Sequence, residues 1–184
     1  QQQLEAQNDL LLPIVKGFCS DRTWDLLSMS LQCLGGSGYT QDYPIEQYIR
    51  DQKIDTLYEG TTHIQALDLL LRKVARDGGA TLRMLLAKIR ATAQNTRPDG
   101  LDNERALLLR ALGDVEGIFG ALLAKMNESM YHVGLQANRV LSALGELCIG
   151  WFLVSHAEIA LRNKAAAPHD AAFYDGKVAS ARFF

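Results

Sequence analysis

The sequence has few of the residues that build disulfide frameworks and metal sites. Its three cysteines, Cys19, Cys33 and Cys148, are odd in number and irregularly spaced among 184 residues. Neither a disulfide framework nor a zinc site is therefore indicated, and a reducing, cytoplasmic setting fits best. The net charge is only −2 at pH 7, so the composition gives no reason to expect nucleic acid or an acidic membrane surface as a partner.

Long apolar runs and an initiator Met are also missing. No uninterrupted apolar run approaches the ~18 residues of a membrane span, so we expect no span. The chain begins at Gln1 and stops at Phe184, in a helical pattern at both ends. We therefore expect a piece of a longer protein that is inactive by itself, in which targeting segments would not be seen.

Alternating strand patterns are hardly visible, whereas apolar residues recur at helical spacing along most of the chain. The first half predicts helices over 1–19 and 21–34, a short helix after Pro44, and another from Thr61 or Thr62. Ser20 is predicted to cap the second of these helices. Hydrophobic residues make up 48% and charged residues 22%, the balance of a soluble globular protein.

The second half predicts a bundle. Residues from about 80 onward give four helices with short connections, which is typical of an antiparallel four-helix bundle. One helix has a seam of apolar residues spaced four and three apart from Leu108 to Met126, and Trp151 and Tyr131 are expected in the core. A turn is predicted at Thr96–Gly100, a helix break near Gly134, and a last helix from about Ala171. The fold class is all-α, with one domain over 1–78 and a second over 79–184.

The glycines within the second helix of the predicted bundle need a reason. A glycine in a helix interior costs up to ~1 kcal/mol relative to alanine. Gly113, Gly117 and Gly120 are therefore expected to allow the close approach of a neighbouring helix.

Two non-helical segments are the candidates for chemistry. Successive glycines after Gln32 would let backbone amides approach an anionic group, although a helix end explains them equally well. Glu59, which precedes Gly60 and a helix start, could take a proton from a substrate whose oxygen the nearby amides bind. Its alternative role is to cap the helix or form an ion pair.

Three motifs taken together resolve these alternatives. Leu-Gly-Gly-Ser-Gly-Tyr from Leu34, Asp-Tyr-Pro-Ile-Glu-Gln-Tyr-Ile-Arg-Asp from Asp42 and Ile-Asp-Thr-Leu-Tyr-Glu-Gly-Thr-Thr-His-Ile-Gln from Ile54 stand in this order. Their sequence and spacing resemble the acyl-CoA dehydrogenase family, over about residues 10–76. Residues 80–184 resemble the extra helical domain appended to one branch of that family.

The resemblance implies a flavoprotein that converts an acyl-CoA thioester into the trans-2-enoyl product, as in fatty acid β-oxidation. Glu59 matches the base that removes the α-proton, while the β-hydrogen leaves as hydride to flavin N5. Gly60 matches the residue that lies against the substrate. His63 departs from the Gln or Glu that is usual at its position.

The resemblance also implies FAD as cofactor, an electron-transferring flavoprotein as acceptor, and a homodimer or dimer of dimers. Gln32 through Gly36 match the segment that reaches FAD across the subunit interface, and Thr61 through His63 match a second FAD segment. These two sets of expected cofactor contacts are Gln32, Cys33, Leu34, Gly35, Gly36, Thr61, Thr62 and His63.

Other functions stay open at this point. An acyl-CoA oxidase would pass its electrons to oxygen, and a non-catalytic helical interaction protein could retain the same fold. Glu128 and His132 stand four residues apart and could share a metal, but no second pair at matching spacing exists, so no metal is expected.

Overall fold

The computed structural model describes residues 2–184, and those residues contain helices and turns but no strand. The α-helices are α1 (Gln2–Pro13), α2 (Ser20–Cys33), α3 (Ile45–Lys53), α4 (Thr62–Leu67), α5 (Ala80–Ala93), α6 (Asp102–Met126), α7 (Tyr131–Asn163) and α8 (Ala171–Phe183). The all-α prediction is therefore confirmed.

One continuous helical rod runs through α1 and α2, and a π-helical segment, Ile14–Cys19, joins them. The backbone is right-handed helical at both junctions, Pro13 and Ser20. The prediction that Ser20 caps a new helix is therefore wrong, because the wider π turns carry the chain past Pro13 without a break. The Ser20 hydroxyl instead donates to the carbonyl of Lys16 one turn earlier.

The segments after α2 are short. A 3₁₀ turn, Gly35–Tyr39, leads towards α3, and a second 3₁₀ turn, Ile54–Thr56, follows α3. Helix α4 continues directly into another π-helical segment, Asp68–Val74. The chain then turns at Gly78 and Gly79, which have positive φ angles of 60° and 79° that suit glycine.

The chain divides into two compact units. The first extends to Thr81 and includes Ser129–Ser142, and the second contains Leu82–Glu128 and Ala143–Phe184. Helix α7 thus contributes its first three turns to one unit and its remainder to the other.

The directions of α6, α7 and α8 follow from contacts within the second unit. Arg105 and Leu108 on α6 contact Glu158 and the Gly150 position on α7, so residue numbers rise along one helix as they fall along the other. Lys164 at the end of α7 pairs with Asp175 on α8, and Phe184 lies beside Gly150. Successive helices therefore run in opposite directions, as the bundle prediction requires.

Helix α5 completes the alternation. Its residue Thr92 accepts a hydrogen bond from the Trp151 indole at 2.8 Å, and Asn95 just beyond it donates to Glu158 at 3.1 Å. Residue numbers rise together in this pair, so α5 runs parallel to α7. It is therefore antiparallel to α6, to which Arg90 links it through Glu116.

A buried arginine ties the turn before α6 to the bundle. Arg105 is only 3% exposed and binds Asp99 through both terminal nitrogens. Its Nε and Nη2 also donate to Glu158 on α7, at 3.1 and 2.8 Å. Leu101, which is fully buried, packs in the same region with Ala157, Ala160, Val178 and Ala181. This ion cluster fixes the Thr96–Gly100 turn, which the sequence predicted as a turn.

Three local expectations in the second half are wrong. Nothing in the described part of the chain lies within 4 Å of a side chain built at Gly113, Gly117 or Gly120, so no neighbouring helix of this chain approaches them. Gly134 lies inside α7, since the break falls earlier, between Met126 and Tyr131. Tyr131 is 89% exposed because it begins the helix on its outer side, whereas Trp151 is half-buried.

Helix α7 is long and apolar enough to cross a membrane by length and composition. An 18-residue window within it reaches a mean hydropathy of 1.5, and 44% of that window is buried inside the protein. The central helix of a bundle passes the same test, and Leu141, Leu144 and Leu147 of α7 are buried core residues. The window carries no independent evidence of a span.

Arg105→Leu should lower the free energy of unfolding by about 3–5 kcal/mol, because it leaves two part-buried carboxylates without their cation. Arg90→Leu is the matched control. Its partner Glu116 and Arg90 itself are each about 40% exposed, so the loss there should stay below about 1 kcal/mol. Urea unfolding followed by circular dichroism measures both, and equal losses would contradict the importance of the buried cluster.

Acid should destabilise the protein through three carboxyl groups. Hydrogen bonds from Lys73, Thr81 and Arg105 lower the pKa values of Asp9, Asp77 and Asp99, respectively, below 3.8. A lowered folded-state pKa stabilises the fold fully above the unfolded-state value, and that contribution is lost as pH falls through the folded-state pKa. The thermal midpoint should therefore fall steeply below about pH 4. A midpoint that stays constant down to pH 2.5 would refute this.

Candidate functional site

Glu59 has a left-handed backbone conformation, which is unusual for a residue other than glycine. Its φ angle is +56°, and among residues 2–184 it is the one non-glycine residue with positive φ. Such a conformation costs an ordinary residue about 1–3 kcal/mol and is kept where the surroundings impose it, often at functional sites. The Glu59 side chain is exposed. The strained backbone thus presents a carboxylate at the surface of this chain.

Gly60 is required by the same turn. Its φ angle is +92°, and a Cβ atom there would lie 3.0 Å from the Ile64 side chain. A side chain at Gly60 would therefore strain the backbone and force the Ile64 side chain to shift. The structure therefore gives Gly60 a role within the chain, whatever lies against it from outside.

Contacts from two residues, Gln65 and Lys16, hold the turn. The Gln65 side-chain amide donates to the Glu59 carbonyl at 2.8 Å. Lys16 in the first π-helical segment donates to the Asp55 carbonyl at 2.7 Å, and its ammonium lies 5.5 Å from the centre of the Tyr58 ring. The neighbouring Asp55 carboxylate raises the pKa of the Tyr58 hydroxyl. The π-helical segment therefore supports the turn through Lys16.

The helix start after the turn leaves donors available. Thr61 is extended, with φ −70° and ψ 169°, and its side chain makes no capping hydrogen bond. The first amides of a helix have no acceptor within the helix, so they can serve a ligand oxygen here. Thr62 donates its hydroxyl hydrogen to Asp21 at 2.6 Å, which fixes the helix start against α2.

His63 faces α7 rather than standing free. Its Nδ1 atom lies 3.0 Å from Oδ1 of Asn138, and both side chains are exposed. Both residues belong to the first unit. His63, which differs from the Gln or Glu usual in the family that the sequence resembles, is thus held by a residue 75 positions further along the chain.

The glycine-rich segment has two different kinds of glycine. Gly35 has a φ angle of +58° and ends α2, while nothing lies within 4 Å of a side chain built at Gly35 or Gly36. Gly38 is buried, and a Cβ there would lie 2.9 Å from the Leu31 carbonyl. The backbone at Gly35 and Gly36 is therefore open to a ligand, whereas Gly38 is needed for packing.

The two predicted segments lie at opposite ends of α2. Asp21 near its start holds Thr62, whereas Gln32, Cys33 and Leu34 stand at its end. Eleven residues of helix separate Asp21 from Gln32, a rise of about 17 Å. A single chain thus does not bring the glycine-rich segment and the Glu59 turn together as neighbours.

Sequence reasoning missed the residues that support the turn. Lys16, Asp21 and Asn138 act on it from 39, 41 and 75 residues away. Gln65 is marked in the sequence only as the last residue of the motif that begins at Ile54. No local pattern marks such partners, although the π-helical segment that carries Lys16 is a feature often found at functional sites.

The candidate metal pair is not supported by further ligands. Among residues 2–184, no group of three or more His, Cys, Asp or Glu side chains is placed to hold a metal ion. Glu128 forms an ion pair with Lys125 at 2.6 Å.

Comparison with known protein families gives two matches. Residues 2–74 match the family described as acyl-CoA dehydrogenase, C-terminal domain. Residues 85–184 match the family described as acetyl-CoA dehydrogenase C-terminal like. The residues between the two matches belong to neither, and the predicted division at residues 78 and 79 stays a prediction.

Similar curated proteins carry related names. A broad-specificity linear acyl-CoA dehydrogenase, FadE5, of Mycobacterium tuberculosis is 48% identical over 96% of this chain and 30% of its own length. A 3-methylmercaptopropionyl-CoA dehydrogenase of Ruegeria pomeroyi is 36% identical over 98% of this chain and 31% of its own length. A butyryl-CoA dehydrogenase of Syntrophomonas wolfei is 31% identical over 94% of this chain and 29% of its own length. The chain thus spans about a third of the length of these relatives.

Glu59→Asn should stabilise the chain slightly. Asparagine adopts positive φ angles more readily than glutamate, so the free energy of unfolding should rise by up to about 1 kcal/mol. Glu59→Val, which is β-branched, should lower it instead. Thermal unfolding of the three proteins measures the order, and a Val variant as stable as the Asn variant would contradict the strain at this residue.

Proposed function

The chain belongs to the acyl-CoA dehydrogenase family, and we propose that it is the C-terminal part of an FAD-dependent enzyme that oxidises acyl-CoA thioesters to trans-2-enoyl-CoA. The observation that carries this proposal is the strained Glu59 turn, in which an exposed carboxylate precedes an uncapped helix start. The names of the similar proteins support an acyl-CoA substrate.

Glu59 would act as the base. The α-proton of a thioester becomes acidic enough to remove only when hydrogen bonds polarise the carbonyl oxygen, and free backbone amides beside the base are suitable donors. The positive φ of Glu59 and Gly60 turns the backbone sharply between the carboxylate and those amides. The Gln65 and Lys16 contacts keep this arrangement in place before substrate binds.

The residues expected to bind FAD fit such a group. The open backbone at Gly35 and Gly36 admits close approach of a ligand, and Thr61, Thr62 and His63 offer amides at a helix start. FAD, when bound, supplies the acceptor for the β-hydrogen, which leaves as hydride. The separation along α2 supports a site in which the Gln32–Gly36 segment serves a second subunit, and hence a homodimer or dimer of dimers.

Glu59→Gln in the full-length protein should retain bound FAD and lose nearly all turnover, because the amide cannot accept the α-proton. The loss expected for removing a general base is at least about 10²–10⁴-fold in kcat. Glu128→Gln, which changes an exposed ion pair with Lys125, is the control and should leave turnover unchanged. Full activity in Glu59→Gln would show that Glu59 is not the base.

The electron acceptor separates a dehydrogenase from an acyl-CoA oxidase. We propose an electron-transferring flavoprotein as the acceptor. After anaerobic reduction by substrate, the flavin should re-oxidise slowly when air is admitted and quickly when the electron-transferring flavoprotein is added. Stopped-flow absorbance measures both rates, and rapid re-oxidation in air alone would establish the oxidase.

A further inference from the structure

We propose that Asn138 of α7 is a positioning residue that fixes the protonation form and orientation of His63 beside the Glu59 turn. The effect on FAD binding rests on the proposed function, whereas the hydrogen bond between His63 and Asn138 does not. It assigns a role in the site to the beginning of helix α7.

The packing of α7 sets the position of Asn138. A Cβ atom at Gly17 would lie 2.8 Å from Cδ2 of Leu141 and 3.2 Å from Cβ of Gln65. The missing side chain at Gly17 therefore lets α7 and α4 approach the π-helical segment together. Leu141 is fully buried in this contact, and Asn138 lies three residues earlier, which is the same face of the helix.

This contact links α7 to α4, the helix that follows the Glu59 turn. Leu141 and Gln65 both lie beside Gly17, where a side chain is missing. Gln65 in turn donates a hydrogen bond to the Glu59 carbonyl at 2.8 Å. Asn138 meets His63, which follows the helix start. One face of α7 thus supports two residues of α4, His63 and Gln65.

The hydrogen bond determines which nitrogen of His63 carries the proton. A side-chain amide oxygen can only accept, so Nδ1 of His63 must be the donor to Asn138 Oδ1. In the neutral imidazole the other nitrogen, Nε2, is then an acceptor. His63 would therefore offer an acceptor to a hydroxyl or amine of the flavin nucleotide.

The protonation form can be measured directly. The chain has four histidines, and ¹⁵N-histidine labelling distinguishes Nδ1–H from Nε2–H through the ring nitrogen shifts. His63 in the unmodified 184-residue chain should carry its proton on Nδ1. Asn138→Leu, which removes the acceptor, should shift the population towards Nε2–H, while Asn138→Asp, which keeps an oxygen acceptor, should restore Nδ1–H.

A matched control lies on the same helix. Gln136 accepts a hydrogen bond from Arg139, so Gln136→Leu should leave the His63 signals unchanged. In the full-length flavoprotein, Asn138→Leu should raise the FAD dissociation constant about three- to tenfold, the effect of one net hydrogen bond. Asn138→Asp should recover most of this loss.

An unchanged His63 population in Asn138→Leu would overturn the inference. That result is independent of catalysis, because the ¹⁵N measurement needs neither flavin nor substrate. Failure of the proposed function would appear elsewhere, as full turnover of Glu59→Gln. An altered His63 population with an unchanged FAD dissociation constant would also overturn the cofactor-directed role of Asn138.

Discussion

The site depends on one backbone constraint, the left-handed conformation of Glu59. A glutamate does not adopt a φ of +56° without surrounding contacts that compensate for about 1–3 kcal/mol. Those contacts are the Gln65 bond to the Glu59 carbonyl, the Lys16 bond to the Asp55 carbonyl and the Asp21 bond to Thr62. Residues before, within and after the turn are thus each held by a different helix.

The π-helical segment between α1 and α2 makes these contacts possible. It carries Lys16, which reaches the loop before Glu59, and Gly17, whose missing side chain admits Leu141 and Gln65. A side chain at Gly17 would force the Leu141 or Gln65 side chain to shift. The geometry of the turn is therefore built into the helical scaffold rather than into the loop alone.

Much of the fold could be predicted from the sequence, because apolar spacing and glycine turns are local signals. The helix starts at Thr62 and Ala171 were predicted in this way. The continuous rod through Ser20 was not, since nothing in a capping motif indicates a π-helical segment. The expected partner of Gly113, Gly117 and Gly120 is likewise not found in the described part of the chain.

The site was predictable only as far as its motifs extend. Glu59, Gly60 and the glycine-rich segment stand in recognisable sequence patterns, and their functional roles stay predictions. The strain at Glu59 and the partners Lys16, Asp21 and Asn138 depend on tertiary contacts over 39 to 75 residues. No single-sequence pattern records such contacts. The buried Arg105 cluster was missed for the same reason, although its turn was predicted.

The central claim is that Glu59 removes the α-proton. It is tested most directly by a thioester of coenzyme A that has sulfur at the β-position and so cannot lose a β-hydride. In D₂O, the full-length flavoprotein should exchange the α-hydrogen of this bound analogue for deuterium, measured by mass spectrometry, and Glu59→Gln should abolish the exchange. Exchange at an undiminished rate in Glu59→Gln would contradict the account.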